Sequence, residues 1–185
     1  MTMGEPRAVQ RHVGIDEYLR DEELSDRRHE YVDGAVFTMS GGSDRHNDLV
    51  GSLYVALRSQ LKPPCHVYMI DLKLKVQLQK ATLFYYPDLM VTCSARDTAS
   101  HWKTEPSLLI EVLSPSTERT DRTEKLMAYT QLPSLEAYLL VAQDETRVEA
   151  MLRSEAWTPQ ILGAGQSINL PGLGVEIAVD AIYAV

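Results

Sequence analysis

Two stretches, Tyr86-Pro87-Asp88-Leu89-Met90-Val91 and Leu108-Leu109-Ile110-Glu111-Val112-Leu113-Ser114-Pro115-Ser116-Thr117, decide how this chain is read. The runs 89–93 and 108–113 are nearly continuous in apolar character, as expected of central strands covered on both faces. Each stretch nonetheless carries a carboxylate, Asp88 at a strand entrance and Glu111 in mid-strand. A carboxylate among Leu, Ile and Val is costly to desolvate unless a cation meets it. Adjacent strands run about 4.8 Å apart, so acids on one face of such a pair can converge on a single ion. Left unbridged they would repel, and one would take up a proton. A divalent cation removes the conflict, and oxygen ligands of this kind suit Mg²⁺ or Mn²⁺.

After Glu111 comes a turn and then a helix expected over 118–131, with Leu126, Met127 and Leu132 as its buried positions. Asp121, Lys125 and Tyr129 fall at i, i+4 and i+8 and so form one stripe. A lysine brought close to the acids steadies charge developing on a phosphate. A plainer role for it is a buried Lys125–Glu111 salt bridge with no metal. Plainer roles exist for the others too: Asp88 capping a strand entry, Asp121 as a first-turn helix acid favoured by the macrodipole, and Tyr129 as core.

Upstream, residues 1–12 show no periodicity and read as a loose arm before a single domain over 13–185. Ile15, Tyr18 and Leu19 mark a short acidic helix over 14–24. Asp33-Gly34 between strand-like residues signals a hairpin over 30–40. Leu49, Leu53, Leu57 and Leu61 recur every four residues, a helix that Pro63-Pro64 ends. His46 sits at the N-terminal end of that apolar stripe, either a site residue or a hydrogen-bonded core histidine. Over 67–78, Leu72, Leu74, Val76 and Leu78 alternate with Lys73, Lys75 and Gln77, the pattern of one strand with a wet face. A polar loop follows at 94–106, and further strands are expected at 137–141, 148–152 and 175–179. The order is helix, hairpin, long helix, three strands, helix, strand and more strands. A mixed sheet flanked by helices follows, in the α/β or α+β class.

A chain of 185 residues, 44% hydrophobic and 24% charged, has the size and composition of one globular domain. No run of about 18 apolar residues suggests a transmembrane helix, and the charges scattered through 1–20 argue against a signal peptide. Cys65 and Cys93 lack a Cys or His partner at metal spacing, so two buried free thiols in a reducing cytoplasm are expected. The net charge of −8 speaks against a protein that coats nucleic acid by bulk electrostatics. Any contact with DNA must be weak, locally focused or assisted by metal ions. His12, His29, His66 and His101 have no evident partner.

The Pro87-Asp88 pair, Glu111 with Ser114-Pro115-Ser116-Thr117 behind it, then Asp121, Lys125 and Tyr129, resemble the Uma family of putative restriction endonucleases. That family belongs to the PD-(D/E)XK nuclease superfamily. The resemblance extends upstream to Glu30, Asp33-Gly34 and His46, and downstream from Glu136 to Val141. It implies a restriction-endonuclease-like αβββαβ core, here with an N-terminal hairpin and extra C-terminal strands. It also implies Mg²⁺- or Mn²⁺-dependent hydrolysis of DNA phosphodiesters by a metal-activated water. Asp88, Glu111 and the backbone carbonyl of Val112 would hold the ion, Lys125 and His46 would complete the catalytic set, and Glu30, Asp121 and Tyr129 would stand behind them. A homodimer is implied as well, since cutting both strands of a duplex needs two sites. One departure stands out: the superfamily's lysine two residues after the acid is Leu113, and Lys125 on the next helix matches the place to which the family has moved it. Two alternatives remain open: an inactive binding or assembly module on a nuclease-like fold, and a hydrolase of another phosphate compound.

Overall fold

The computed structural model describes residues 12–184. The arm expected over 1–12 therefore lies, His12 apart, outside the described residues. Helix α1 (Ile15–Leu24) buries Tyr18 and Glu22. Strands β1 (His29–Val32) and β2 (Ala35–Thr38) pair antiparallel across Asp33-Gly34. Both turn residues have positive φ, 46° and 97°, the handedness that matches a two-residue hairpin to the strand twist. Helix α2 (Asp44–Gln60) starts at Ser43, whose hydroxyl accepts the His46 amide, and buries Leu49, Val50, Leu53 and Leu57 completely. Each such leucine contributes about 1.5–3 kcal/mol by leaving water.

Next come β3 (His66–Met69), β4 (Lys73–Gln77), β5 (Thr82–Tyr85), β6 (Leu89–Thr92), the two-residue β7 (Trp102–Lys103) and β8 (Pro106–Val112). A continuous helical segment follows: α3 (Glu118–Thr120), a π-helical turn (Asp121–Lys125) and α4 (Leu126–Tyr129). Strands β9 (Ala137–Val141), β10 (Arg147–Leu152), β11 (Pro159–Gly163), β12 (Ser167–Leu170) and β13 (Val175–Ala178) and helix α5 (Val179–Tyr183) complete the chain.

Six strands form the main sheet in the order β11-β10-β9-β8-β6-β3, in which β8 and β9 run parallel and the other pairs antiparallel. Read through α2, β3, β6, β8, the helical segment and β9, this is the expected αβββαβ core. A second sheet, β2-β1-β5-β4-β7, lies over it, and β12-β13 form a separate ribbon. The main sheet is apolar on both faces. Leu89, Val91, Leu108, Ile110, Val112, Leu139 and Val141 meet α2, α5 and the ribbon, whereas Met90, Leu109, Leu113, Tyr138 and Leu140 meet β4, β5 and α4. The period of two along β8 puts Glu111 with Leu109 and Leu113 on the second face.

Several expectations are corrected. The single strand expected over 67–78 is two strands in different sheets, because Asp71 takes a positive φ of 74° and turns the chain between them. Lys73, expected on a wet face, is buried beside Tyr86, since α1 covers that side of β4. The expected polar loop over 94–106 contains β7. Met127, expected in the core, is 68% exposed, because the helix buries Asp121, Lys125, Ala128 and Tyr129 and Met127 lies on the opposite side. Cys65 and Cys93, expected as free thiols, form a disulfide with Cα atoms 3.9 Å apart. Continuing the His66↔Thr92 register of β3 and β6 by one residue sets the two cysteines opposite each other. The pairing removes the argument that the thiols offered for a reducing compartment. Among the described residues, no helix is long and apolar enough to cross a membrane.

Candidate active site

The site forms where the chain passes from the second sheet to the main one, through Tyr86-Pro87-Asp88 between β5 and β6. Leu89 pairs with Ile110, so one further step of that register sets Asp88 across from Glu111, as the strand argument requires. Asp88 Oδ2 accepts the Val112 amide at 2.7 Å and lies 3.1 Å from His46 Nε2. Strand β8 and helix α2 therefore fix one carboxylate. The hydrogen bond to Asp88 is the largest influence on His46 and raises its pKa above the usual histidine value, against the opposing pull of burial. Gly42 makes room for the ring: a Cβ there would stand 2.9 Å from His46 Nδ1.

Deeper in, Lys125 gathers three acids around one ammonium. Its Nζ lies 3.1 Å from Glu111 Oε1, 3.3 Å from Glu30 Oε1 and 3.0 Å from Asp121 Oδ1. Burial by itself pushes the Lys125 ammonium down, but Glu111, Glu30 and Asp121 together outweigh it and hold the group well above the ordinary lysine range. Glu111 moves upward chiefly because it is buried, with Lys125 opposing and the other acids adding to the rise. Tyr129 donates its hydroxyl to Glu111 Oε1 at 3.0 Å. The π-helical turn carries both Asp121 and Lys125 inward, so Asp121 is not a solvated helix acid. Glu30 accepts the Tyr86 amide at 3.4 Å, which ties β1 to the residues before Asp88.

Every residue that the sequence singled out is therefore near this cluster: Asp88, Glu111, Lys125 and His46, with Glu30, Asp121 and Tyr129 around them. Val112 takes part through its amide to Asp88. Lys125 opposes Glu111 from the helix, as both the salt-bridge and the catalytic readings of the sequence anticipate.

Four carboxylates, Glu30, Asp88, Glu111 and Asp121, face two groups that can be cationic, Lys125 and His46. The excess of acid and the all-oxygen donor set suit Mg²⁺ or Mn²⁺. Asp121 Oδ1 is buried and, although 3.0 Å from Lys125 Nζ, receives no hydrogen bond. A buried acceptor in that state is a reason to look for a missing cation. The donor chemistry fits a divalent ion. The present spacing leaves the gathering incomplete, since among the described residues no three His, Cys, Asp or Glu side chains stand close enough to hold one. Lys125 occupies the centre instead.

Sequence reasoning missed a neighbouring polar cluster. Buried Glu22 of α1 accepts from the His29 amide at 2.9 Å and the Tyr86 hydroxyl at 2.8 Å, and its other oxygen lies 2.9 Å from His29 Nδ1. Lys73 Nζ reaches the Tyr86 hydroxyl at 3.4 Å. The signal was present: Glu22 lies four residues after Tyr18, on the face that α1 buries.

The αβββαβ core, with acids on facing ends of β6 and β8 and a lysine on the next helix, defines a nuclease-like fold. The chain belongs to the Uma2 family, described as "Putative restriction endonuclease", whose model matches residues 15–180. An uncharacterized protein of the cyanobacterium Synechocystis sp. is 35% identical over 182 residues, covering 96% of this chain and 95% of its own. A second one from Synechocystis is 31% identical over 137 residues, covering 72% and 76%. The crystal structure of a putative nuclease belonging to DUF820 from Anabaena variabilis superposes with a TM-score of 0.76. It covers 93% of this chain and 98% of the other at 16% identity, a likeness of fold.

Proposed function

We propose that the protein is a divalent-metal-dependent endonuclease acting on DNA. The observation that carries this reading is the burial of Glu111, Asp121 and Lys125 around one point, with Asp88 and Glu30 at its edge. A fold kept for stability alone gains little from such a cluster, because burying charge costs about as much as pairing it returns. Asp88 and Glu111, with the carbonyl of Val112 and the unbonded oxygen of Asp121, would hold Mg²⁺ or Mn²⁺. When bound, the ion supplies positive charge that polarises a phosphodiester and acidifies water. The remaining work falls to the chain. His46 holds Asp88 in place, Tyr129 orients Glu111, and Lys125 would face the negative charge that grows on the phosphate. Duplex cutting by one such site per chain is carried out by a homodimer in this reading.

The experiment is cleavage of duplex DNA with Mg²⁺, with Mn²⁺ and with a chelator. Cleavage that needs the ion, and disappears in Asp88→Ala and Glu111→Ala while both variants stay folded, supports the reading. Absence of cleavage with any divalent ion, or equal cutting by the variants, overturns it. If phosphodiesters resist while another phosphate compound in a substrate panel is hydrolysed, the substrate assignment alone fails.

One observation favours a second reading. Lys125 already neutralises Glu111 in the position an ion would take, and no three acids converge among the described residues. On that basis the domain would be a binding or assembly module that takes up no metal.

A further inference from the structure

A cleft of about 640 Å³ opens between β4, β7 and the segment that follows α4. Its walls include Lys75, Trp102, Thr104, Leu132, Pro133 and Ser134. Glu105, beside it at the entrance to β8, is six residues from Glu111, or about 20 Å along a strand rising ~3.3 Å per residue. None of the lining residues belongs to the carboxylate cluster, so the cleft is distinct from the candidate active site.

Its chemistry is uneven in an informative way. Lys75 Nζ stands 6.0 Å from the centre of the Trp102 ring and 5.9 Å from that of Phe84, and among the described residues no carboxylate pairs with it. An ammonium beside an indole is placed for a ligand that brings both an anion and a flat ring. Ser134 completes the wall, with its hydroxyl oxygen turned into the protein and out of reach of the cleft. Leu132 and Pro133 give the cleft an apolar side. The acid at the rim does not oppose an anion strongly, because Glu105 is engaged by Arg96 at 3.7 Å.

We propose that this cleft is a nucleotide subsite, with a base stacked on Trp102 and the phosphate held by Lys75. Ring faces are sequence-tolerant stacking platforms, and one lysine suits one phosphate. A free nucleotide and one unit of a single strand share this chemistry. If the protein is a nuclease, the occupant is a nucleotide of the substrate strand. The subsite itself does not depend on that reading.

The test is run in chelator, so that neither metal nor cleavage enters. The chain has two tryptophans, so Trp157→Phe leaves Trp102 as the fluorescent reporter. Titration with thymidine monophosphate, with an eight-residue oligothymidylate and with thymidine is expected to give saturable quenching by one or both phosphorylated ligands and little by thymidine. Lys75→Ala is expected to weaken binding about tenfold, and to reduce the slope of log affinity against log salt for the oligonucleotide by about 0.7, the share of one phosphate. The variant should keep the unfolding midpoint of the parent. Binding of the oligonucleotide alone assigns the site to a strand, and equal binding of the monophosphate assigns it to a free nucleotide. No quenching by either phosphorylated ligand, thymidine binding as well as its monophosphate, or unchanged affinity in Lys75→Ala overturns the proposal. Because the titration is run without metal and reads Trp102 quenching, not cleavage, failure of the subsite and failure of the nuclease reading remain distinguishable.

Discussion

The Lys125 ammonium lies 3.1 Å from Glu111 Oε1, and both side chains are almost completely enclosed, at 5% and 4% exposure. Removing either partner leaves the other buried with its charge uncompensated. Lys125→Met is expected to destabilise the fold by roughly 3–5 kcal/mol at neutral pH, measured by urea denaturation. Adding Glu111→Gln should recover a large part of that loss, and a double-mutant cycle isolates the pair. Additive losses would mean that the two groups are not coupled.

Glu22 ties α1 to the residues that present Asp88. Its carboxylate accepts from the Tyr86 hydroxyl and the His29 amide, and Tyr86 in turn gives its amide to Glu30. Glu22→Ala should cost about 1–3 kcal/mol, since it leaves buried donors unsatisfied. It should also lower cleavage through displacement of Glu30 and Pro87-Asp88. Glu22→Gln keeps the acceptor oxygen and should restore most of both. Equal damage from the two variants would assign the effect to charge rather than to positioning.

Much of this frame was legible in the sequence, for physical reasons that can be named. Leu49, Leu53 and Leu57 repeat at a helical period and are buried as that period demands. Asp33-Gly34 turns the hairpin because both positions need positive φ. Glu111 showed itself as an acid in an apolar strand, and the row Asp121, Lys125 and Tyr129 led to its partners. What stayed hidden depends on contacts distant in sequence. The alternation over 67–78 looked like one wet-faced strand, yet α1 covers Lys73 and the turn at Asp71 sends the two halves to different sheets. Likewise, the pairing of Cys65 with Cys93 follows from the register of β3 on β6, which no local pattern encodes.

That disulfide closes a loop with a sequence separation of 28. A link of this length restricts the unfolded chain enough to stabilise the fold by roughly 2–4 kcal/mol. Thermal unfolding with and without a reductant should show the loss, and Cys93→Ser should match the reduced protein. No shift would place the pair among those with no energetic role.

Stability in acid should depend on Glu149. Its hydrogen bond from Arg122, helped by the charges of Arg122 and Arg147, holds the Glu149 carboxyl below the usual glutamate value of 4.5 despite partial burial. The folded pKa is depressed, so the contribution is present above pH 4.5 and is lost as pH falls through the lower folded value. The Glu149→Gln variant should be less stable than the parent at pH 6, with the difference shrinking below about pH 4. Equal differences at all pH values would contradict the assignment.

The most direct measurement of the central claim is calorimetric titration with Mn²⁺ in the absence of DNA. The expected result is saturable binding to the unmodified protein that disappears in both Asp88→Ala and Glu111→Ala. Lack of binding, or binding that persists unchanged in those variants, would mean that Lys125 alone balances these acids and that no metal site exists among them.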